Sequence, residues 1–171
     1  MNDRKTVLIA FWVAVAISFL LHGFQPWGRY ILYPFAMLST WAHEMGHGIA
    51  AILTGGTFSH LYLYQNLGGT AYCAAGSPFL QPIVSIGGLL GPSICGGIII
   101  AQSARSTFRS QLILILLTVL MIVSWVIWVR NVFGFFAVGG ICIFLCALAF
   151  GAPKNVQVAS VQLIGIQLCL G

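Results

Sequence analysis

Long apolar runs alternate along the chain with short polar breaks, and the runs recur at the length a membrane crossing needs. About 20 apolar residues in a helix cross the roughly 30 Å hydrocarbon layer of a bilayer. Runs of this kind occupy Thr6 to Phe24, Tyr30 to Leu53, Leu80 to Ala101, Gln111 to Val129 and Val132 to Phe150, and Val156 to Leu170 opens another. The pattern predicts an all-α polytopic membrane protein of about five to six transmembrane helices. The first run follows Arg4 and Lys5, is long and has no small-residue cleavage site after it, so it reads as a span and not a secretory signal. The sequence stops inside an apolar helix, which predicts one membrane-embedded unit over 1–171 that lacks its C-terminal part.

One stretch breaks the helical period. Between Gly55 and Pro78, Phe58, His60, Tyr62 and Tyr64 alternate with Ser59, Leu61, Leu63 and Gln65, and Asn66 to Gly69 supply turn residues. Period-two alternation followed by a turn predicts a β-hairpin at the membrane surface, between the second and third spans. Backbone at that depth needs protein cover or a wet cavity. The third run holds "SIGGLLGPSICGG", with Gly87 and Gly91 in GxxxG spacing. That spacing suits close helix packing. Pro92 offers a second reading, a break in backbone hydrogen bonding beside a cavity.

Composition agrees with a lipid solvent, since 60% of residues are hydrophobic and only 5% charged, against about 25% charged in soluble domains. The net charge of +5 comes from basic residues scattered singly, as flanks of spans, so no nucleic-acid partner is expected. Five spans place Arg4, Lys5 and Arg130 on one side and Arg29, Arg105, Arg109 and Lys154 on the other, a split that does not decide orientation. The five cysteines form no CxxC pair and read as small buried hydrophobes. Trp41, Trp125 and Trp128 read as packing or interfacial aromatics.

Against this background "STWAHEMGHGIAA" is out of place. The only acids are Asp3 and Glu44, and Glu44 stands between His43 and His47 in an apolar run. Four residues apart on a helix, the two imidazoles stack on one face, close enough to bind one cation. Glu44 follows round the turn, poised to reach a water on that cation. This is the HExxH arrangement, in which two His hold zinc and the Glu is general base. An ionisable group at bilayer depth costs on the order of 3 kcal/mol by insertion scales, which points to function.

"HEMGHGIAAILTGG" in a membrane helix, then a strand-like insert, then a Gly-Pro span, resembles the site-2 protease family of intramembrane zinc metalloproteases, in its M50B-like branch. The resemblance covers Tyr30 to Ala101. It implies a single membrane-embedded peptidase domain. It also implies that His43 and His47 bind zinc, that Glu44 activates water, and that a peptide bond of a membrane protein or peptide is hydrolysed in or near the bilayer. In that family the insert is thought to receive an extended substrate and faces the cytosol, which implies a cytoplasmic N-terminus.

The family draws a third zinc ligand, an Asp, from a later helix, and this sequence has no acid after Glu44. Asp3, ahead of the first span, is a poor substitute. A ligand beyond Gly171, a ligand from His60 or His22, or an incomplete site remain open. Many members also carry Asn three residues after the Gly-Pro. Here that place is Cys95, leaving Ser93 or a backbone N–H near Pro92 as the oxyanion donor. The alternative reading is a non-catalytic pseudo-protease that binds metal or partner helices. Metal transport needs polar residues along several spans, and a serine protease needs a partnered nucleophile. The chain offers neither.

Overall fold

The computed structural model describes residues 3–24, 26–103 and 106–170. Arg105 and the side chains of Asp3, Arg4 and Lys5 lie outside the described residues. In chain order the elements are α1 (Asp3–Gly23), α2 (Trp27–Leu53), β1 (Thr57–Leu63), β2 (Gly69–Ala74), a 3-10 turn (Pro78–Leu80), α3 (Gln81–Ser103), α4 (Thr107–Ile127), α5 (Val132–Gly151) and α6 (Lys154–Leu170). The expected helical membrane fold with a hairpin after the HExxH helix is the observed one.

Among the described residues, three helical segments are long and apolar enough to cross a bilayer: Pro78–Ser103, Phe108–Ile127 and Val132–Gly151. Val7–Gly23 is a shorter apolar helix. α2 and α6, which the apolar runs also suggest as spans, fall short for a physical reason. α2 carries Arg29, Thr40, His43, Glu44 and His47, and α6 carries three glutamines. The bundle exposes large apolar side chains and buries a few polar ones within an apolar core. Trp12, Leu120 and Phe136 are exposed, whereas Gln157, Gln162 and Gln167 are buried. Gln162 Nε2 donates to Ser103 Oγ (2.7 Å), Gln167 Nε2 to Ser18 Oγ (3.1 Å) and Gln157 Nε2 to the Ala149 carbonyl (2.9 Å). These bonds pin α6 to α3, α1 and α5, the way interhelical polar contacts hold helices where lipid supplies no hydrophobic drive.

Glycines set the α2–α3 approach. A Cβ on Gly46 would stand 2.4 Å from the Gly87 carbonyl oxygen, and one on Gly88 would stand 2.2 Å from the His47 ring. α3 runs unbroken through Pro92, so the glycine-rich span serves close packing and not a helix break. Trp41 is buried and its Nε1 donates to Ser124 Oγ (2.8 Å), tying α2 to α4. The described cysteines are all free; Cys142 is buried, but Cys95 and Cys169 lie exposed on α3 and α6, against the buried placement expected.

β1 and β2 pair antiparallel, from Thr57 opposite Ala74 to Leu63 opposite Gly69, with a register shift between Phe58 and His60. The extra residue, Ser59, reverses the side-chain parity expected from simple alternation. Phe58 therefore joins Leu61 and Leu63 on the inner face, reaching Gly48 of α2, while His60 and Tyr62 turn outward with Tyr72. The outer edge of β1 is closed by the α4–α5 connection. Leu61 N–H donates to the Trp128 carbonyl (2.8 Å), and Arg130 N–H donates to the Leu61 carbonyl (3.2 Å). Trp128 Nε1 donates to the Phe58 carbonyl (3.1 Å). The Phe58 and Trp128 rings stack with centroids 4.9 Å apart.

Candidate metal and proteolytic site

α2 brings His43, Glu44 and His47 onto consecutive turns, and His43 and Glu44 line a cavity of about 370 Å³. The cavity is also lined by Ser39 and Thr40 of α2, Gly69 of β2, His22 of α1 and Gln167 of α6. His47 Nδ1–H donates to the Val84 carbonyl of α3 at 2.9 Å. Because a carbonyl only accepts, this bond puts the proton on Nδ1 and leaves Nε2 with an acceptor lone pair, which takes a hydrogen bond from His43 Nε2 and which a metal ion could use instead. That Nε2 lies 3.1 Å from His43 Nε2, with the rings 4.7 Å apart and nearly perpendicular.

Two imidazole nitrogens held about 2.0–2.1 Å from one tetrahedral ion stand roughly 3.3 Å from each other. The observed spacing and the oriented lone pair fit two ligands of a zinc ion. Among the described residues no group of three or more His, Cys, Asp or Glu side chains is gathered to hold a metal. His60 stacks on Tyr72 with centroids 4.1 Å apart, on the hairpin face turned away from α2. His22 lines the cavity, with its Nδ1–H donating to the Ser18 carbonyl (2.7 Å).

Glu44 is only 7% exposed. Gly69 lies directly against it, since a Cβ there would come within 2.6 Å of Glu44 Cγ and 2.8 Å of Oε1. The turn before Gly69 is tethered to α2 by Thr40 Oγ1, which donates to the Leu67 carbonyl (2.8 Å), and by the Tyr33 hydroxyl, which donates to the Gln65 carbonyl (2.9 Å). Leu67 takes the left-handed conformation, φ 68°, in this turn, which costs a non-glycine residue about 1–2 kcal/mol. Further along β2, burial first and then the charge of Glu44 hold the Cys73 thiol above its ordinary pKa. The close approach of Gly69 to Glu44 places the hairpin beside that carboxylate.

Ser93 is exposed on α3, its carbonyl accepting a long contact from Cys169 Sγ (3.6 Å), and neither it nor Pro92 lines the cavity. The cavity wall instead includes two residues that the sequence did not single out. Gln167 and Ser39 are each 5% exposed, and Ser39 Oγ is buried with no hydrogen-bond partner. A glutamine or serine within an apolar helix was the available signal, although its target depends on packing with distant segments.

No curated protein and no solved structure matches the chain. A family model does, over residues 7–171, from within the first turns of α1 through α6. By that match the chain belongs to the Peptidase M50B-like family of membrane metallopeptidases.

Proposed function

We propose that the chain is a zinc-dependent intramembrane endopeptidase acting on membrane-associated proteins or peptides, with His43 and His47 as zinc ligands and Glu44 as general base. The observation that carries this reading is the 3.1 Å Nε2–Nε2 spacing of the two histidines, of which His43 lines the same cavity as Glu44. Zinc, when bound, acts as a Lewis acid toward water and the scissile carbonyl. Glu44 accepts the proton of the attacking water on its carboxylate and delivers it to the leaving amine nitrogen. The cavity admits the water, and the exposed apolar helices keep the rest of the site from lipid.

The hairpin supports the expected receipt of an extended substrate. Leu61 and Leu63 turn their backbone groups outward to the α4–α5 connection. In an antiparallel ladder their partners Ala71 and Gly69 then turn theirs to the opposite, open edge of β2. A peptide pairing there lies extended, as its amide must be for attack, and runs toward Glu44 at Gly69. By the family resemblance this face and the N-terminus are cytoplasmic.

The lack of a third ligand among the described residues favours one other reading, a pseudo-protease that binds metal or helices without cleaving them. Incubating a single-span reporter with zinc-loaded protein separates the two. The peptidase cleaves it and the Glu44→Gln variant does not, although both hold zinc. Equal cleavage by both forms, or none by either, overturns the proposal.

A further inference from the structure

The side chain of Asn131 is used in an unexpected way. It occupies the N-cap of α5 with extended backbone, φ −110° and ψ 151°, yet makes no capping hydrogen bond to its own helix. Asn at this position ordinarily caps. Here the carboxamide reaches across to β1 instead. Oδ1 accepts from Leu63 N–H (3.2 Å) and Nδ2 donates to the Leu63 carbonyl (2.5 Å). One planar group satisfies both backbone atoms of one residue, as a neighbouring strand does, because an amide side chain carries a donor and an acceptor side by side. Gly134 leaves room for it, because a Cβ there would stand 2.4 Å from Asn131 Oδ1.

Leu63 is fully buried and is the register partner of Gly69, the residue packed against Glu44. Resting on the peptidase reading above, we propose that Asn131 is a positioning residue, acting through Leu63 and Gly69 to hold the open edge of the hairpin at the Glu44 carboxylate. The α4–α5 connection thus closes one strand edge and aims the other.

The role predicts that stability and activity separate. Asn131→Asp keeps an acceptor for Leu63 N–H, loses the donor to its carbonyl, caps as well as Asn and adds a negative charge that the N-terminus of α5 favours. Asn131→Ala loses both bonds. In detergent-purified full chains, both variants keep wild-type zinc content, and Asn131→Asp keeps or exceeds the wild-type unfolding temperature. Turnover of the single-span reporter per bound zinc falls about 10- to 100-fold, as expected of a site displaced by about an ångström. A second readout does not depend on turnover. As the hairpin moves off Glu44, Cys73, followed by mass spectrometry, is alkylated at lower pH. Wild-type turnover per zinc together with an unchanged Cys73 profile in Asn131→Ala overturns the proposal. So does a loss of turnover that only tracks lost zinc or lost folded protein. Glu44→Gln run alongside isolates the reading beneath it: if the wild type cleaves no better than Glu44→Gln, the peptidase reading fails, and the Cys73 profile alone still decides whether Asn131 anchors the hairpin.

Discussion

Gly69 and Glu44 are in contact so close that no side chain fits between them: a Cβ on Gly69 would fall 2.6 Å from Glu44 Cγ. The β-hairpin therefore rests on the carboxylate proposed as general base, and glycine is what lets backbone approach it. Gly69→Ala must push either the strand or Glu44 aside. We expect a roughly 100-fold loss of turnover, as for ångström-scale misplacement, with zinc content unchanged. Reporter kinetics paired with metal analysis check both halves.

The His47 ring is bounded in the same way by Gly88, where a Cβ would stand 2.2 Å away. Gly88→Ala is expected to rotate His47 off the Val84 carbonyl and weaken zinc binding by 10- to 100-fold, the usual cost of losing an outer-shell partner. Competition with a chelator measures it. Gly46→Ala meets the Gly87 backbone instead, so it should act on the bundle, costing about 1–3 kcal/mol of stability by overpacking.

Cys73 reports on Glu44 through pH. Its thiol is held above the ordinary value by burial and then by the Glu44 charge. Such a group stabilises the folded chain fully below the ordinary thiol pKa, and that contribution is lost as pH rises through the raised folded value. Glu44→Gln removes the charge and leaves the burial, so Cys73 should react with iodoacetamide at lower pH in the variant than in the wild type. Identical profiles would show that Glu44 and β2 are not in electrostatic contact.

Trp41→Phe separates architecture from chemistry. It deletes the buried bond to Ser124 Oγ and should cost about 1–3 kcal/mol. Reporter turnover per folded, zinc-loaded molecule should stay within about twofold of wild type, since Trp41 lines no part of the cavity. Thermal unfolding and kinetics on the same preparation test the pair of outcomes.

Residues interacting over short sequence distances were legible and those meeting across the fold were not. The helical period alone puts His43 and His47 one turn apart, and the scarcity of acids makes Glu44 conspicuous. The hairpin was legible from alternation, but the bulge at Ser59 was not, and it decides that His60 faces away from the histidine pair. Ser93 was a reasonable candidate for a group near Pro92, yet its placement depends on the rotation of α3, which close glycine packing on α2 fixes. Gln167 meets Ser18 across 149 residues of chain, and Asn131 meets Leu63 across 68. No local pattern reveals either partnership.

The most direct test is zinc stoichiometry in detergent-purified protein, measured for the wild type, Glu44→Gln and a combined His43→Ala and His47→Ala variant. The account predicts about one zinc per chain in the first two and almost none in the third, as a two-imidazole site requires. Zinc retained at wild-type level without both imidazoles, or absent from the wild type after reconstitution, contradicts it.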